Sequence, residues 1–285
     1  MSGSKVDQVT EPLAAHGEGP VWYAGWPGLR WVDMLAGDVL ELDPATHAVS
    51  RHHVGTVAAA LRPRTDGGVV LALERGFALA DADLANVRSL GELWTGADVR
   101  MNDGGCDPGG RFYCGSMAYD ERPGAGALYR LDRDGSVTTV LTGVTISNGL
   151  AWSPDGGTAY YVDTPTHRVD AFDYDPRRGL TDRRTLVEIP EEDGSPDGMT
   201  VDADGRLWIA LWGGAAVRCY SSKGEFEEHV PLPVSQVTAC TFGGPELADL
   251  YITTSQQGVR EQEAGAVFRH RPGVRGLPVL TYSAP

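Results

Sequence analysis

The sequence predicts an all-β chain folded as a six-bladed β-propeller. Three observations carry that expectation. A short apolar run recurs six times at nearly constant spacing, almost every run follows a Gly- or Asp-rich turn, and helical periodicity is nearly absent. The runs are "GLRWVDM" around Trp31, "GGVVLAL" around Leu71, "GGRFYCGS" around Tyr113, "GGTAYYVDT" around Tyr161, "DGRLWIAL" around Trp208 and "LADLYITT" around Tyr251. Successive anchors lie 40, 42, 48, 47 and 43 residues apart. Units of that length, each built from about four strands, are propeller blades. A generic β-sandwich offers no reason for so regular a register. Six units fill residues 1–285 as a single domain, and the chain is long enough to bury a sizeable core.

Each unit continues in the same manner. A second β-prone segment follows the anchor, as at Val39-Leu40, Leu128-Tyr129, Val169 to Phe172 and Val217 to Tyr220. A polar turn comes next, such as Asp43-Pro44-Ala45-Thr46, Asp132-Arg133-Asp134-Gly135 or the stretch from Asp175 to Gly179. Asp, Pro and Gly are the residues that tight turns require. A further strand then leads to the next unit. The ring must close, and the β-prone "KVDQVTE" near the N-terminus is expected to add a strand to the last blade, covering an open edge.

Composition narrows the function. The 41% hydrophobic and 22% charged content is ordinary for a globular chain, whereas 37 Gly and 18 Pro suit many short elements joined by turns. A formal charge of −15 argues against a nucleic acid partner, which needs basic patches. The stretch MSGSKVDQVT lacks the basic and apolar regions of a signal peptide, and no apolar window approaches a membrane span. Cys106, Cys114, Cys219 and Cys240 show no CxxC pairing and are expected to pack as small hydrophobes. A cytoplasmic monomer without membrane contact is the expectation.

The chemistry emerges from phase within the repeat. Glu18 lies 13 residues before Trp31, Asn102 lies 11 before Tyr113, Asn148 lies 13 before Tyr161, and Asp197 lies 11 before Trp208. Each is followed by Gly, or by Asp then Gly, in "EGPVW", "NDGGC", "NGLAW" and "DGMTV". The corresponding places in the second and sixth units fall near Ala60 and Thr238. The strand entering a blade lines the central channel, so equivalent positions converge on the axis. Two carboxylates and two amides would meet there, a donor set suited to a hard divalent cation. The expected architecture is therefore a propeller with a central metal-binding channel. The glycines would let the backbone turn sharply and approach closely. Arg100 is expected on the same strand face as Asn102, and Asp103 on the opposite face as a partner of a turn.

Other chemistries find little support. The seven histidines make no HxH or HExxH spacing, and His16, two residues before Glu18, is expected to be structural. There is no GxSxG nucleophile elbow, and "GGCDPGG" is not a dinucleotide fingerprint. The tryptophans read as core, with Trp212, just before Gly213-Gly214, the candidate for a pocket wall.

"GEGPVW", "RMNDGGCDPGGRFYCGSM", "SNGLAWSPDG", "SPDGMTVDADGRLWIALWGG", "DAFDYDP" and "CTFGGPELADLYITT" resemble, in order and spacing, the signature blocks of the senescence-marker-protein/gluconolactonase/regucalcin-like family. The resemblance runs from about Gly17 to Gly265. It implies a six-bladed propeller holding one divalent cation (Ca, Zn, Mn, Mg or Fe(II)) and hydrolysing sugar lactones. Carried onto this chain, it implies Glu18, Asn148 and Asp197 as metal ligands, with Asp197 also the general base. It implies Arg100 and Asn102 as substrate-binding residues, joined by Asp120 after the "GSM" segment. Asp120 is one carbon shorter than the glutamate of animal members, and "AYDERPGAGAL" is a shorter loop than theirs. Two alternatives stay open on the same site: hydrolysis of an organophosphate or other ester, and a non-catalytic calcium-binding regulatory role. A mere cation binder would have no need of Arg100 so close to a channel donor.

Overall fold

The computed structural model describes residues 6–283. Six four-stranded antiparallel sheets form the blades of a propeller. The innermost strands are Gly17–Trp22, Ala58–Pro63, Val99–Cys106, Ser147–Trp152, Ser195–Val201 and Val237–Gly243. Among the described residues, helix is confined to three short 3-10 turns, and no helix is long and apolar enough to cross a membrane.

The repeat is visible in the sequence because the second strand of each blade is buried on both faces. Leu207–Trp212, for example, is buried along all but its last residue, whereas the outermost strand Arg88–Glu92 is mostly exposed. A strand sheltered on both sides reads as a continuous apolar run rather than an alternating one. All six anchors, Trp31, Leu71, Tyr113, Tyr161, Trp208 and Tyr251, are buried. Their clusters sit between consecutive blades: Trp31 and Leu40 meet Tyr251 and Val267 between the first and last, while Trp208 and Val217 meet Phe242 and Ile252 between the fifth and sixth. Burying one such aromatic ring contributes about 1.5–3 kcal/mol.

Turn chemistry is as the residues suggest. Asp43 Oδ1 accepts from the Ala45 N–H at 2.8 Å, and Asp175 Oδ1 accepts from the Arg177 and Arg178 N–H groups at 2.8 Å. The ring closes through the N-terminal segment. Asp7–Gln8 pairs antiparallel with Phe268–His270, with Asp7 opposite Arg269, and becomes the outer strand of the sixth blade. Lys5, the first residue of the expected closing segment, lies outside the described residues. All four cysteines are free and buried, as small apolar side chains.

Two inner turns carry a staple that repetition alone does not reveal. Asp202 is fully buried and accepts from the Arg206 N–H at 2.9 Å, Arg206 Nε at 2.8 Å and the Trp208 indole N–H at 3.0 Å. Asp107 and Arg111 repeat the arrangement in the third blade. Removing Asp202 leaves a buried indole and the Arg206 Nε–H without their acceptor, while the guanidinium keeps Asp204 at 3.0 Å. Asp202→Ala is expected to cost about 3 kcal/mol and to lower the melting temperature by roughly 5 °C, which calorimetry would read.

Candidate functional site

Every innermost strand breaks register at the same level. The shifts fall between Glu18 and Val21, Ala58 and Ala60, Met101 and Gly104, Asn148 and Leu150, Pro196 and Met199, and Val237 and Ala239. A bulge re-aims the side chains around it. Here the bulges form a tier around the axis, and the four polar positions of the repeat sit in it. Glycine makes the tier tight. A Cβ on Gly149 would lie 2.6 Å from the Asp197 carbonyl oxygen, and one on Gly198 would lie 2.4 Å from the Ala239 Cβ. Both contacts are too short for any other residue, so the inner strands of the fourth, fifth and sixth blades close together only through these glycines.

The structure joins Arg100, Asn102 and Asn148 directly. Arg100 donates to Asn102 Oδ1 at 2.6 Å, Asn102 Nδ2 donates to Asn148 Oδ1 at 3.0 Å and to the Ser147 carbonyl at 2.9 Å. Asn148 Nδ2 in turn donates to Thr164 Oγ1 at 2.8 Å, and the Thr164 hydroxyl donates to the Pro196 carbonyl at 2.8 Å. The chain of bonds crosses three blades and ends one residue from Asp197. Bonds in series polarise one another and fix each amide's orientation. Thr164 lies in the 3-10 turn Thr164–Thr166, outside the strand repeat, so no sequence signal marked it.

Glu18 and Asp197 are buried with these groups. Burial, then the Asp103 charge, pushes Glu18 up to about 8. Asp197 is raised well above the usual carboxylate range by burial and by the charges of Glu18 and Asp103. Asp103 is therefore a member of the group. The expectation that it faces away assumed a regular strand; the register shift between Met101 and Gly104 places Asn102 and Asp103 together in the bulge. Its Oδ1 accepts from the Gly104 N–H at 2.6 Å; burial raises its pKa, with the Arg62 charge opposing.

His16 is also part of the surroundings. It is buried, its Nδ1 lies 2.8 Å from Ser255 Oγ, and its ring meets Trp212 edge-on at 5.9 Å. Burial and then the Arg100 charge lower its pKa to about 4, so the ring is neutral at neutral pH. Trp212, half-buried, flanks the site on this side. On another, the Tyr119 ring lies 5.8 Å from the Arg100 guanidinium and its hydroxyl donates to Glu74 Oε1 at 2.8 Å. Asp120 is not brought to the others. It is exposed in the turn beyond Tyr119 and ion-paired with Arg122 at 2.9 Å.

The residues fit a divalent cation on two observations. Asp197 Oδ1 is buried without a hydrogen-bond partner, an arrangement costly for a carboxylate unless a cation or proton satisfies it. Glu18 and Asn148 supply the carboxylate and amide oxygens that hard cations take. Among the described residues, no three His, Cys, Asp or Glu side chains could hold an ion by themselves. A cation held by Glu18 and Asp197 would need further oxygens that are not carboxylate, such as the Asn148 amide oxygen.

Residues 16–256 match the family described as "SMP-30/Gluconolactonase/LRE-like region". The chain belongs to that family. The chain is similar to a regucalcin from Danio rerio, 35% identical over 99% of this chain and 100% of that protein. A solved calcium-binding protein, regucalcin, from Agrobacterium tumefaciens is 27% identical, with a TM-score of 0.92 over 98% of each chain. A luciferin-regenerating enzyme is 29% identical, with a TM-score of 0.91 over 99% of this chain and 100% of its own. The family's fold is the propeller described above.

Proposed function

We propose that this protein is a divalent-metal-dependent lactonase that opens aldonolactones, pentono- and hexonolactones being the natural candidates, to aldonic acids. The observation that carries the reading is the unpartnered Asp197 Oδ1, buried beside Glu18 and close to the Arg100–Asn102–Asn148 chain. Membership of a family whose description includes gluconolactonase supports it.

Glu18, Asn148 and Asp197 would hold the cation. The chemistry such a cation supplies when bound is Lewis-acid polarisation of a carbonyl, together with the charge that keeps buried carboxylates ionised. Asp197 takes the proton of the attacking water and returns it to the ring oxygen that leaves as a hydroxyl. Arg100 and Asn102 bind the lactone's oxygens and orient its carbonyl; a guanidinium in a buried site also favours the oxyanion that develops there. His16, neutral, adds no competing charge. Asp120, ion-paired at the rim, would meet only a substrate long enough to project from the mouth.

Asn102→Ala removes one donor to Asn148 and the acceptor of Arg100, but no ligand. It is expected to raise KM about tenfold and to leave metal affinity nearly unchanged, measured by titration with Mn²⁺. Loss of the metal would instead make Asn102 a direct ligand.

The deciding experiment is acid release, followed with a pH indicator, against a panel of aldonolactones after chelation and after return of single divalent metals. Metal-dependent release supports the lactonase and ranks metal and substrate. No release with metal bound would overturn it in favour of an organophosphate or a regulatory role. Cation binding without turnover is the second reading, supported by the description of the Agrobacterium relative as a calcium-binding protein.

A further inference from the structure

A cavity of about 470 Å³ lies at the other end of the channel, beneath the tier that holds Asn102 and Asp197. Trp22, Trp152, Phe242 and Leu150 form much of its wall, and the C-terminal segment from Leu277 to Leu280 crosses it. That segment belongs to no blade. It is clamped on one side by the Asp202–Gly276 bridge and the Gly276 N–H to Leu247 carbonyl bond at 2.8 Å. On the other side, the Arg64–Tyr282 bridge and the Tyr282 N–H to Pro63 carbonyl bond at 2.9 Å hold it. Between the clamps, Leu277, Val279 and Leu280 lie partly buried against the blade cores. The span is a strap over the channel floor, held at its ends.

Two charged residues line this space: Asp155, exposed and engaged by the Ser153 hydroxyl at 2.6 Å and the Gly157 N–H at 3.0 Å, and Arg62. Arg62 stands on the innermost strand of the second blade and lines the cavity, half-buried. Its amino groups donate to main-chain carbonyls, Leu61 at 2.6 Å and Gly104 at 2.5 Å, rather than to a carboxylate. Gly104 follows Asp103, so the guanidinium sits between the polar tier and the cavity. Two bonds leave most of its donors uncommitted, since a guanidinium has five in a fork that matches a carboxylate. A cation held against aromatic and aliphatic walls attracts an anion whose remainder is apolar. The volume falls in the range of small-molecule sites. An aldonic acid is a poorer match, because Trp22, Leu150, Trp152, Phe242 and the strap leucines offer its hydroxyls no partner, and the polar groups of the wall are few, Ser153, Asp155, Thr200 and Thr241.

We propose that this cavity is a second binding site, distinct from the mouth, for a small monocarboxylic acid with an apolar body, aromatic or of medium chain length. The carboxylate pairs with Arg62, and the apolar part lies between Trp22, Trp152 and the strap.

Octanoate and benzoate, titrated into the full chain while tryptophan fluorescence and melting temperature are followed, test it. Gluconate and 1-octanol serve as the polar and the neutral controls. Saturable binding of the two acids, with much weaker effects of both controls, is expected. Arg62→Gln is expected to weaken octanoate about tenfold or more. Ala151→Phe, which fills the cavity and keeps the charge, is expected to weaken it as well, while Asn148→Ala at the mouth leaves it unchanged. The proposal is overturned if neither acid binds saturably up to about 10 mM, if Arg62→Gln binds as tightly as the native chain, or if Asn148→Ala abolishes binding.

Discussion

Asp197→Ala is expected to bring aldonolactone hydrolysis to background, a loss of about 10⁴-fold or more. The size follows from the two roles proposed for one carboxylate. As a ligand it holds the cation in a site with only one other carboxylate ligand; as a base it accepts the proton of the attacking water. The two roles separate in Asp197→Asn, which keeps an oxygen donor but cannot take a proton. That variant is expected to retain most of its metal affinity and to lose about 10²–10⁴-fold in kcat, with little change in KM. Metal affinity by titration and kcat by the indicator assay decide between the roles. Full activity in either variant would remove Asp197 from the mechanism. The fold is expected to survive both, because Asp197 Oδ1 makes no hydrogen bond whose loss would be felt.

The chelated protein is expected to lose stability as pH rises from near 6.5 to above 8. Glu18 is held up to about 8 by burial and the Asp103 charge, Asp197 is raised by burial and the charges of Glu18 and Asp103, and Asp103 is raised by burial. In the unfolded chain all three ionise at ordinary carboxylate values near 4. Between the two limits the native state binds more protons than the unfolded one, so unfolding free energy falls as pH increases. His16 acts in the opposite direction. Its folded pKa of about 4 lies below the ordinary histidine value of 6.5, so it adds stability as pH rises between those values. Above 6.5 that contribution is complete and the carboxylates dominate. Melting curves from pH 5 to 9 would show the fall, and a bound divalent cation would largely cancel it. Glu18→Gln isolates the cause: it keeps an oxygen donor but no charge, and it is expected to raise the melting temperature of chelated protein at pH 8 while weakening metal binding only in part. A flat profile, or a Gln variant no more stable than the native chain, would mean that the carboxylates neither repel nor lose solvation as described. Groups placed for function are often held at a cost in stability.

The sequence by itself determined the propeller. Anchors such as Trp31, Tyr161 and Trp208 are buried between blades, and burial of a strand on both faces forces an apolar run that recurs wherever a blade recurs. It also placed Glu18, Asn102, Asn148 and Asp197 at one level, because residues in phase with a structural repeat share a height along its axis. Arg100 was legible by the alternation of a strand. What depends on departures from regularity was not legible. Asp103 joins the carboxylates because the strand bulges between Met101 and Gly104, and a bulge has no periodic signature. Thr164, which completes the bond chain from Arg100 to Pro196, stands on a turn outside the strand repeat. The tertiary structure alone decided that Asp120 pairs with Arg122 at the rim rather than with the channel residues, and that the segment from Leu277 to Leu280 spans the channel floor. Repetition fixes where side chains stand along the axis; local irregularity, stabilised only by contacts between distant segments, fixes which of them meet.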